Sequence, residues 1–307
     1  MNGIPSSATS SVGRNAVAPP RWLERPFALC STREVKIGKI NIKIASNGSA
    51  SLLRVTIPAA GSLQDDAFRE AVYECYRGVG EVVRQMQSHP IRFWNYIPEI
   101  SRIHSCGLSS YELFNAGRFD ALGPWIGEIT SKRLAVASGV GTPGDDFTLH
   151  LLTDSQPANP VENPRQLSPH CYSNRYGPVP PVFARACLLT PNQRNLFECS
   201  ALVSGTASIV GEETRHLGDL ARQIDETFLN LASLSDVLAN KQAATRQDAL
   251  DRYHALRIYV PRPENRAEIA SRLEKVFRLV ANPEFVEMDL CRTDLLLEVE
   301  GTLSFPA

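Results

Sequence analysis

Residues 35–57, VKIGKINIKIASNGSASLLRVTI, and residues 64–86, QDDAFREAVYECYRGVGEVVRQM, decide the fold class. The first stretch alternates apolar and polar residues, which is the period of a half-buried strand. Gly38-Lys39 interrupts the alternation and predicts a β-bulge, while Asn47-Gly48 predicts the turn of a hairpin. In the second stretch, apolar residues recur every three or four positions, as in an amphipathic helix. A hairpin followed by a long helix predicts an α+β module, which the strand-like residues 91–97 extend.

The second half of the chain repeats this order approximately. It contains strand-like residues at 183–189 and 196–203 around a loop at 190–195, a helical stripe at 217–231, a strand at 256–260, a helix at 269–276 and a terminal hairpin at 285–303. We therefore expect two fused α+β domains with mixed sheets. The expected division is a disordered leader at 1–32, an N-terminal domain at 33–152, a linker at 153–180 and a C-terminal domain at 181–307.

The charge balance argues against nucleic acid and membrane partners. The chain has 32 Lys and Arg against 33 Asp and Glu, a net charge of -1, whereas both partners need a basic surface excess. No stretch approaches the roughly 20 apolar residues of a membrane span. The N-terminus lacks a secretory pattern, and the seven scattered cysteines fit reduced thiols. These features predict a cytoplasmic protein.

No cofactor site is expected from the sequence. The six histidines and seven cysteines lack the spacing of metal ligands. The glycine-rich residues 139–144 resemble a phosphate-binding loop, but Pro143 and the missing helical pattern after it predict an ordinary loop. We therefore expect neither a metal nor a nucleotide cofactor.

Short motifs in both halves resemble known families. Four of them are similar to the YjgF/RidA-like superfamily: YGP at 176–178, FARA at 183–186, LVSGTAS at 202–208 and LLLEVEG at 295–301. Two more, RFWNYIP at 92–98 and YELFNAGR at 111–118, are similar to the chorismatases, which are two-domain members of that superfamily. The resemblance implies two chorismate-mutase-like sheets, each with helices packed on one face.

The resemblance also implies an activity. Chorismatases cleave chorismate to pyruvate and either a hydroxybenzoate or a dihydroxycyclohexadiene carboxylate, in aromatic secondary metabolism. We expect the 3-hydroxybenzoate synthase type, and some relatives also release 4-hydroxybenzoate. The alternatives are a hydrolytic chorismatase, a RidA-like imine deaminase and a non-catalytic ligand-binding protein. The expected partner is chorismate alone, with the chain a monomer or weak oligomer.

Two catalytic residues follow from the resemblance. Glu298 stands in an apolar strand where the family keeps its acid, although from sequence alone it reads as an ordinary solvated carboxylate. Protonation of the enolpyruvyl methylene near neutral pH needs a carboxyl whose pKa is raised by burial. Cys291 lies seven residues earlier, at a position that holds a cysteine in 3-hydroxybenzoate-forming relatives. The resemblance implies that it is a second acid or base, whereas the sequence without the resemblance favours a small buried hydrophobe, the commonest role of a free cysteine.

Chorismate carries two carboxylates, which favours arginine and hydroxyl donors in the pocket. The competing interpretation is a structural ion pair for each arginine and a packed aromatic ring for each tyrosine. For residues 204–206 the competing interpretation is the tight end of a strand. The expected substrate-binding residues are Tyr172, Tyr176, Arg185, Gly205, Thr206, Arg257 and Arg272.

Overall fold

Two six-stranded sheets form the framework of residues 17–305, the part of the chain that the computed structural model describes. The first sheet comprises β1 (Thr32–Ile37), β2 (Ile40–Asn47), β3 (Ala50–Ile57), β4 (His89–Pro98), β5 (Val136–Thr142) and β6 (Phe147–Asp154). Its strand order is β1-β2-β3-β6-β4-β5, with only the β4–β5 pair parallel.

The second half of the chain supplies the second sheet and a short ribbon. Its strands are β7 (Asn159–Val161), β8 (Ala186–Leu188), β9 (Ala201–Thr206), β10 (Ile209–Val210), β11 (Glu213–Thr214), β12 (Tyr253–Val260), β13 (Glu284–Glu287) and β14 (Glu298–Leu303). The sheet order is β13-β12-β14-β9-β8-β7, while β10 and β11 pair only with each other.

Helices cover one face of each sheet. The helices of the described residues are α1 (Glu24–Phe27), α2 (Asp65–Gln85), α3 (Ser110–Ile126), α4 (Pro191–Phe197), α5 (Leu220–Leu238), α6 (Arg246–Leu250) and α7 (Arg266–Val276). Residues of α2 and α3 share one buried core with the first sheet, and residues of α5, α6 and α7 share another with the second sheet. The expected α+β class is confirmed.

Helix α2 forms as its sequence predicts. Asp65 and Asp66 occupy the first turn, where carboxylates interact favourably with the helix dipole. Phe68, Val72 and Val79 lie on the buried stripe and are at most 1% exposed. Burial of this stripe fixes the helix against the first sheet.

The remaining faces of the two sheets pack against each other. Trp94 and Tyr96 of β4 belong to one buried cluster with Leu202 of β9 and Tyr259 of β12, whereas their neighbour Phe93 belongs to the cluster beneath α2 and α3. Successive strand residues point to opposite faces, so each sheet contributes to two layers. The two modules therefore pack face to face through their sheets. They also contact each other at β5, the edge strand of the first sheet, which forms isolated β-bridges to the second module.

Part of the predicted leader is structured. Residues 1–16, like 306 and 307, lie outside the described residues, but 21–27 form two short helical turns. Leu23 and Phe27 are buried in the cluster between the sheets, which holds this segment in place. The expectation of disorder is therefore wrong for 17–32, because Leu23 and Phe27 are buried by tertiary contacts that the polar sequence around them does not indicate.

Two turns differ from the sequence-based expectation. Gly38-Lys39 joins β1 and β2 as a tight hairpin, not a bulge, and Gly38 has the left-handed backbone (φ +57°) that glycine permits. Residues 285–303 are not a hairpin: β13 pairs parallel with one side of β12 and β14 pairs antiparallel with its other side. Strand periodicity does not reveal the partner of a strand.

Three segments have a different local structure from the one expected. The predicted loop 190–195 belongs largely to α4, whose start has a Thr190–Gln193 capping box. Residues 139–142 of the predicted glycine-rich loop lie in β5. Strand β7 lies within the predicted linker and pairs with β8. The division at 153–180 stays a prediction.

Candidate active site

A cavity of about 180 Å³ lies beside β5, where the two modules meet. The first module contributes α3 and the strands β4 and β5 to its wall, and the second contributes β9, β14 and the segments around 172–176 and 291–295. Its polar lining residues are Asn95, Ser109, Tyr111, Glu112, Asn115, Arg118, Ser138, Tyr172, Tyr176, Arg185, Cys291, Arg292 and Glu298. The cavity thus brings together residues from both halves of the sequence.

Glu298 is the first residue of β14 and is only 6% exposed. Its carboxyl lies against Gly205 of β9: a Cβ at position 205 would be 1.8 Å from Oε1 of Glu298. Between the pairs Val299–Thr206 and Gly301–Val203 the ladder contains one extra residue on β9, and such bulges re-aim nearby groups. The glycine is therefore required by the carboxyl of Glu298.

The surroundings raise the pKa of Glu298 to about 8. Burial is the main cause, because it disfavours the charged form, and the negative charge of Glu300 adds to it. Arg92 and Arg185 act in the opposite direction but do not cancel the rise. At neutral pH this carboxyl holds its proton and can donate it.

Cys291 lines the same cavity. Burial, with a smaller contribution from Glu298, raises the pKa of its thiol to about 12. A thiol in that state is not the thiolate that nucleophilic attack requires. Tyr111 lies beside it, and burial raises the pKa of this phenol as well. Both groups stay neutral over the physiological range and can act as hydrogen-bond donors.

Three guanidinium groups face the cavity. Arg185 is 2% exposed and donates to Oη of Tyr172 at 2.6 Å. Arg118 is equally buried and lies over the rings of Tyr76 and Phe93. Arg292 stacks on Tyr176, 3.8 Å from the ring centre to its Cζ. Within residues 17–305 none of the three has a carboxylate oxygen within 4.0 Å, so their charge is available to an anionic ligand.

Asn115 adds neutral polar groups to this wall. Both amide atoms of its side chain are buried without a hydrogen-bond partner among the described residues, and Nε of Arg118 is in the same condition. A buried polar group left unpaired costs about 1–3 kcal/mol. Such groups lining a cavity are the donors and acceptors with which it recognises a polar ligand.

Three expected binding residues lie elsewhere. Arg257 is buried in an ion pair with Glu284 at 2.9 Å and also donates to the hydroxyl of Tyr96. Arg272 lies on the outer surface of α7, paired with Asp225. Thr206 is buried and donates to the carbonyl of Ser204. The structure does not bring these three to the cavity, because strand and helix partners that the sequence leaves unspecified satisfy their polar groups.

The other expected residues do meet there: Tyr172, Tyr176, Arg185, Gly205, Cys291 and Glu298 all line the cavity.

The comparisons with known proteins agree with this arrangement. The family described as "Chorismatase FkbO/Hyg5-like, N-terminal" matches residues 29–153. A 3-hydroxybenzoate synthase of Streptomyces hygroscopicus is 30% identical over 242 residues, which are 77% of this chain and 70% of that protein. This chain belongs to the chorismatase family.

Two further members of the chorismatase family resemble it. A chorismatase of Streptomyces rapamycinicus is 33% identical over 216 residues, 69% of this chain and 63% of the relative. A chorismatase crystal structure superposes with a TM-score of 0.76 and 27% identity, covering 89% of this chain and 79% of that one.

Among the cavity residues of this chorismatase-family chain that the sequence left unassigned are Tyr111, Asn115, Arg118 and Arg292. Tyr111, Asn115 and Arg118 have helical spacing and share the cavity-facing side of α3. Their helical spacing within the motif at 111–118, which resembles the chorismatases, is the sequence signal that identifies them as residues of one helix face. Arg292 carries no comparable signal, because it lies in an irregular segment.

Residues 17–305 of this chorismatase-family chain hold no cluster of three or more His, Cys, Asp or Glu side chains suited to a metal ion. In the same part of the chain, every helix is too short or too polar to cross a bilayer.

Proposed function

We propose that this chorismatase-family protein converts chorismate to pyruvate and 3-hydroxybenzoate, with Glu298 as the proton donor. The observation that carries the proposal is a buried carboxyl with a pKa of about 8 in a cavity faced by three arginines that form no salt bridge among the described residues. The relative named a 3-hydroxybenzoate synthase supports the choice of product.

Substrate binding falls to the positive groups of the cavity. Chorismate has two carboxylates, and Arg118, Arg185 and Arg292 present guanidinium groups that match carboxylates in charge and shape. Arg185 already shares a hydrogen bond with Tyr172, which orients both side chains. The amide of Asn115 suits a hydroxyl of the substrate ring. The negative charge of the bound substrate opposes the pKa-lowering effect of Arg185 and so favours the protonated form of Glu298.

The reaction begins with proton transfer. Glu298 gives its proton to the terminal methylene of the enolpyruvyl group, which becomes a methyl group on an oxocarbenium ion. The neighbouring ring hydroxyl oxygen then attacks the ring carbon and the ether bond breaks, so that pyruvate leaves and an arene-oxide-like intermediate forms. The hydroxyl proton returns to Glu298. One C–O bond of the arene oxide then breaks, the carbon that loses the oxygen gives up its proton, and the oxygen that stays on the ring gains a proton, which gives the aromatic acid. Atoms balance without added water.

Cys291 is proposed to act after the first proton transfer. Its neutral thiol faces the same cavity, and it fills space beside the acid from which water could otherwise attack the oxocarbenium carbon. Water attack would instead release the dihydroxycyclohexadiene carboxylate. The hydrolytic reaction is the second candidate function, and relatives named only as chorismatases keep it open.

Incubation of the purified protein with chorismate in D₂O tests this function. The pyruvate formed should carry one deuterium in its methyl group, and the aromatic product should have the mass of hydroxybenzoate with the retention time of its 3-isomer. Glu298→Gln should reduce turnover by roughly 10²–10⁴-fold, since the amide keeps the shape but cannot donate the proton. A Gln variant as active as the wild type would exclude Glu298 as the acid.

A further inference from the structure

Glu300 is a second buried acid in the strand that carries Glu298. It is 3% exposed, and three donors converge on its carboxylate. Oε2 accepts from Nη2 of Arg92 at 2.6 Å and from Oγ of Ser138 at 2.6 Å, and Oε1 accepts from Nε1 of Trp94 at 2.9 Å. These donors satisfy the charged form of a carboxylate.

All three donors come from the first module, whereas Glu300 belongs to the second. Arg92 and Trp94 lie on β4, and Ser138 lies on β5. Arg92 also donates to the carbonyl of Val203 in β9 at 3.0 Å. The Glu300 cluster, meaning Glu300 with Arg92, Trp94 and Ser138, therefore ties the two modules together directly beside the cavity.

The Glu300 cluster reaches Glu298 through Gly205. The backbone N–H of Gly205 donates to Oγ of Ser138 at 3.0 Å, and that same hydroxyl donates to Glu300. Gly205 packs against the carboxyl of Glu298, which occupies the space that a Cβ atom at position 205 would need. One hydroxyl therefore connects the carboxylate of Glu300 with the wall that supports the proposed acid.

We propose that Glu300 is a positioning residue for the reaction: its fixed negative charge keeps the proton on Glu298, and its bond to Ser138 holds Gly205 against that carboxyl. The inference rests on the proposed role of Glu298. Glu300 itself is absent from the residues lining the cavity, so it acts through Glu298 and not on the substrate.

The thiol and the phenols near the pair keep one charge state over the assay range. Burial raises the pKa values of Cys291 and Tyr111 beside Glu298, and those of Tyr96 and Tyr259 beside Glu300, well above their ordinary values. The arginines that face the two acids or line the same cavity are permanently charged: Arg92, Arg118, Arg185, Arg257 and Arg292. Burial raises the pKa of Glu162 to about 7, and this carboxyl interacts with Arg185 of the cavity, so a shift of the alkaline limb reports on Glu298 when both enzymes are compared in a Glu162→Gln background.

The test is the pH dependence of kcat for chorismate cleavage in Glu300→Gln. Removal of the negative charge should move the alkaline limb to lower pH by about one unit, because a like charge close to a carboxyl raises its pKa by this order. Above the limb, this corresponds to about a tenfold lower kcat than that of the wild type at the same pH, when each profile is scaled to its own acidic plateau. An unshifted limb with a uniformly lower kcat would mean that Glu300 is only structural, and would overturn the proposal.

Glu300→Gln leaves Arg92 buried without its charged partner, which destabilises the fold. A second variant therefore tests the proposal if Glu300→Gln does not fold. The double variant Arg92→Gln/Glu300→Gln removes both charges, and its limb should still move to lower pH, though less, since Glu300 outweighs Arg92 in its effect on Glu298. A limb at the wild-type position in the double variant would also overturn the proposal.

The matched control is Glu284→Gln. Glu284 of β13 is likewise paired with a buried arginine, Arg257, in the same sheet but away from the cavity. The alkaline limb of the Glu284→Gln variant should stay at the wild-type pH. A shift as large as that of Glu300→Gln would refute a specific role of Glu300. Failure of the proposed function is separate: it would appear as an active Glu298→Gln variant, whatever the profile of Glu300→Gln.

Discussion

Replacing Gly205 by alanine tests whether the position of the Glu298 carboxyl controls catalysis. The new Cβ would lie 1.8 Å from Oε1 and 2.5 Å from Cδ of Glu298, whereas ordinary contact begins at 3.4 Å. The carboxyl must therefore move by about 1.6 Å. The obstructing atoms are the end of a flexible side chain and not backbone, so the acid yields and the fold persists.

A misplacement of about 1 Å in a reacting group costs about 10²-fold in rate. We therefore expect Gly205→Ala to lower kcat at least about 100-fold while it retains a cooperative thermal unfolding transition. The assay is pyruvate release from saturating chorismate, coupled to NADH oxidation by lactate dehydrogenase, with circular dichroism melting of the same preparation.

Gly139→Ala is the matched control. Gly139 also lines the cavity, but its added Cβ would be 3.5 Å from Cε2 of Tyr111, which is an ordinary contact. It should lose no more than about threefold in kcat, about 0.7 kcal/mol of transition-state stabilisation. A Gly205→Ala enzyme that stays within that range would refute the argument that contact with Gly205 fixes the acid.

Three further outcomes follow from the site. The kcat of the wild type should be flat below about pH 7 and fall as pH rises through about 8, because Glu298 must be protonated to donate; an increase through that range would contradict its role as acid. Arg185→Leu should raise KM by about 10-fold or more, because the substrate carboxylate loses a charge-assisted partner. The surface variant Arg272→Leu should leave KM unchanged, and equal KM values for these two variants would exclude Arg185 from substrate binding. Cys291→Ala should shift product from 3-hydroxybenzoate towards the diene diol while pyruvate release persists, and an unchanged ratio by chromatography would make Cys291 a packing residue.

The elements of this chain with a regular apolar period were predictable from sequence. The stripe at 64–86 gives α2 and Asn47-Gly48 gives the β2–β3 turn, because both depend on contacts between residues close in the chain. The resemblance of a few motifs also selected Glu298, Cys291 and Arg185, which the cavity brings together.

Tertiary structure alone decided which arginines face the cavity. Arg257 and Arg185 both stand in apolar strand-like sequence, yet Glu284 neutralises the first and no carboxylate pairs with the second among the described residues. The partner of Arg257 arrives with β13, whose pairing with β12 is not encoded in the period of either strand. Charge compensation thus depends on which strands become neighbours.

The same holds for the two acids of β14. Their sequence places Glu298 and Glu300 on one face and makes them equivalent. Only the packing of the first module against that face separates them: Arg92, Trp94 and Ser138 stabilise the charge of Glu300, while Glu298 is left against Gly205 and keeps its proton. The pKa of a carboxyl depends on its desolvation and on nearby charges, and the three donors that distinguish Glu300 from Glu298 lie between 162 and 208 positions away in the chain.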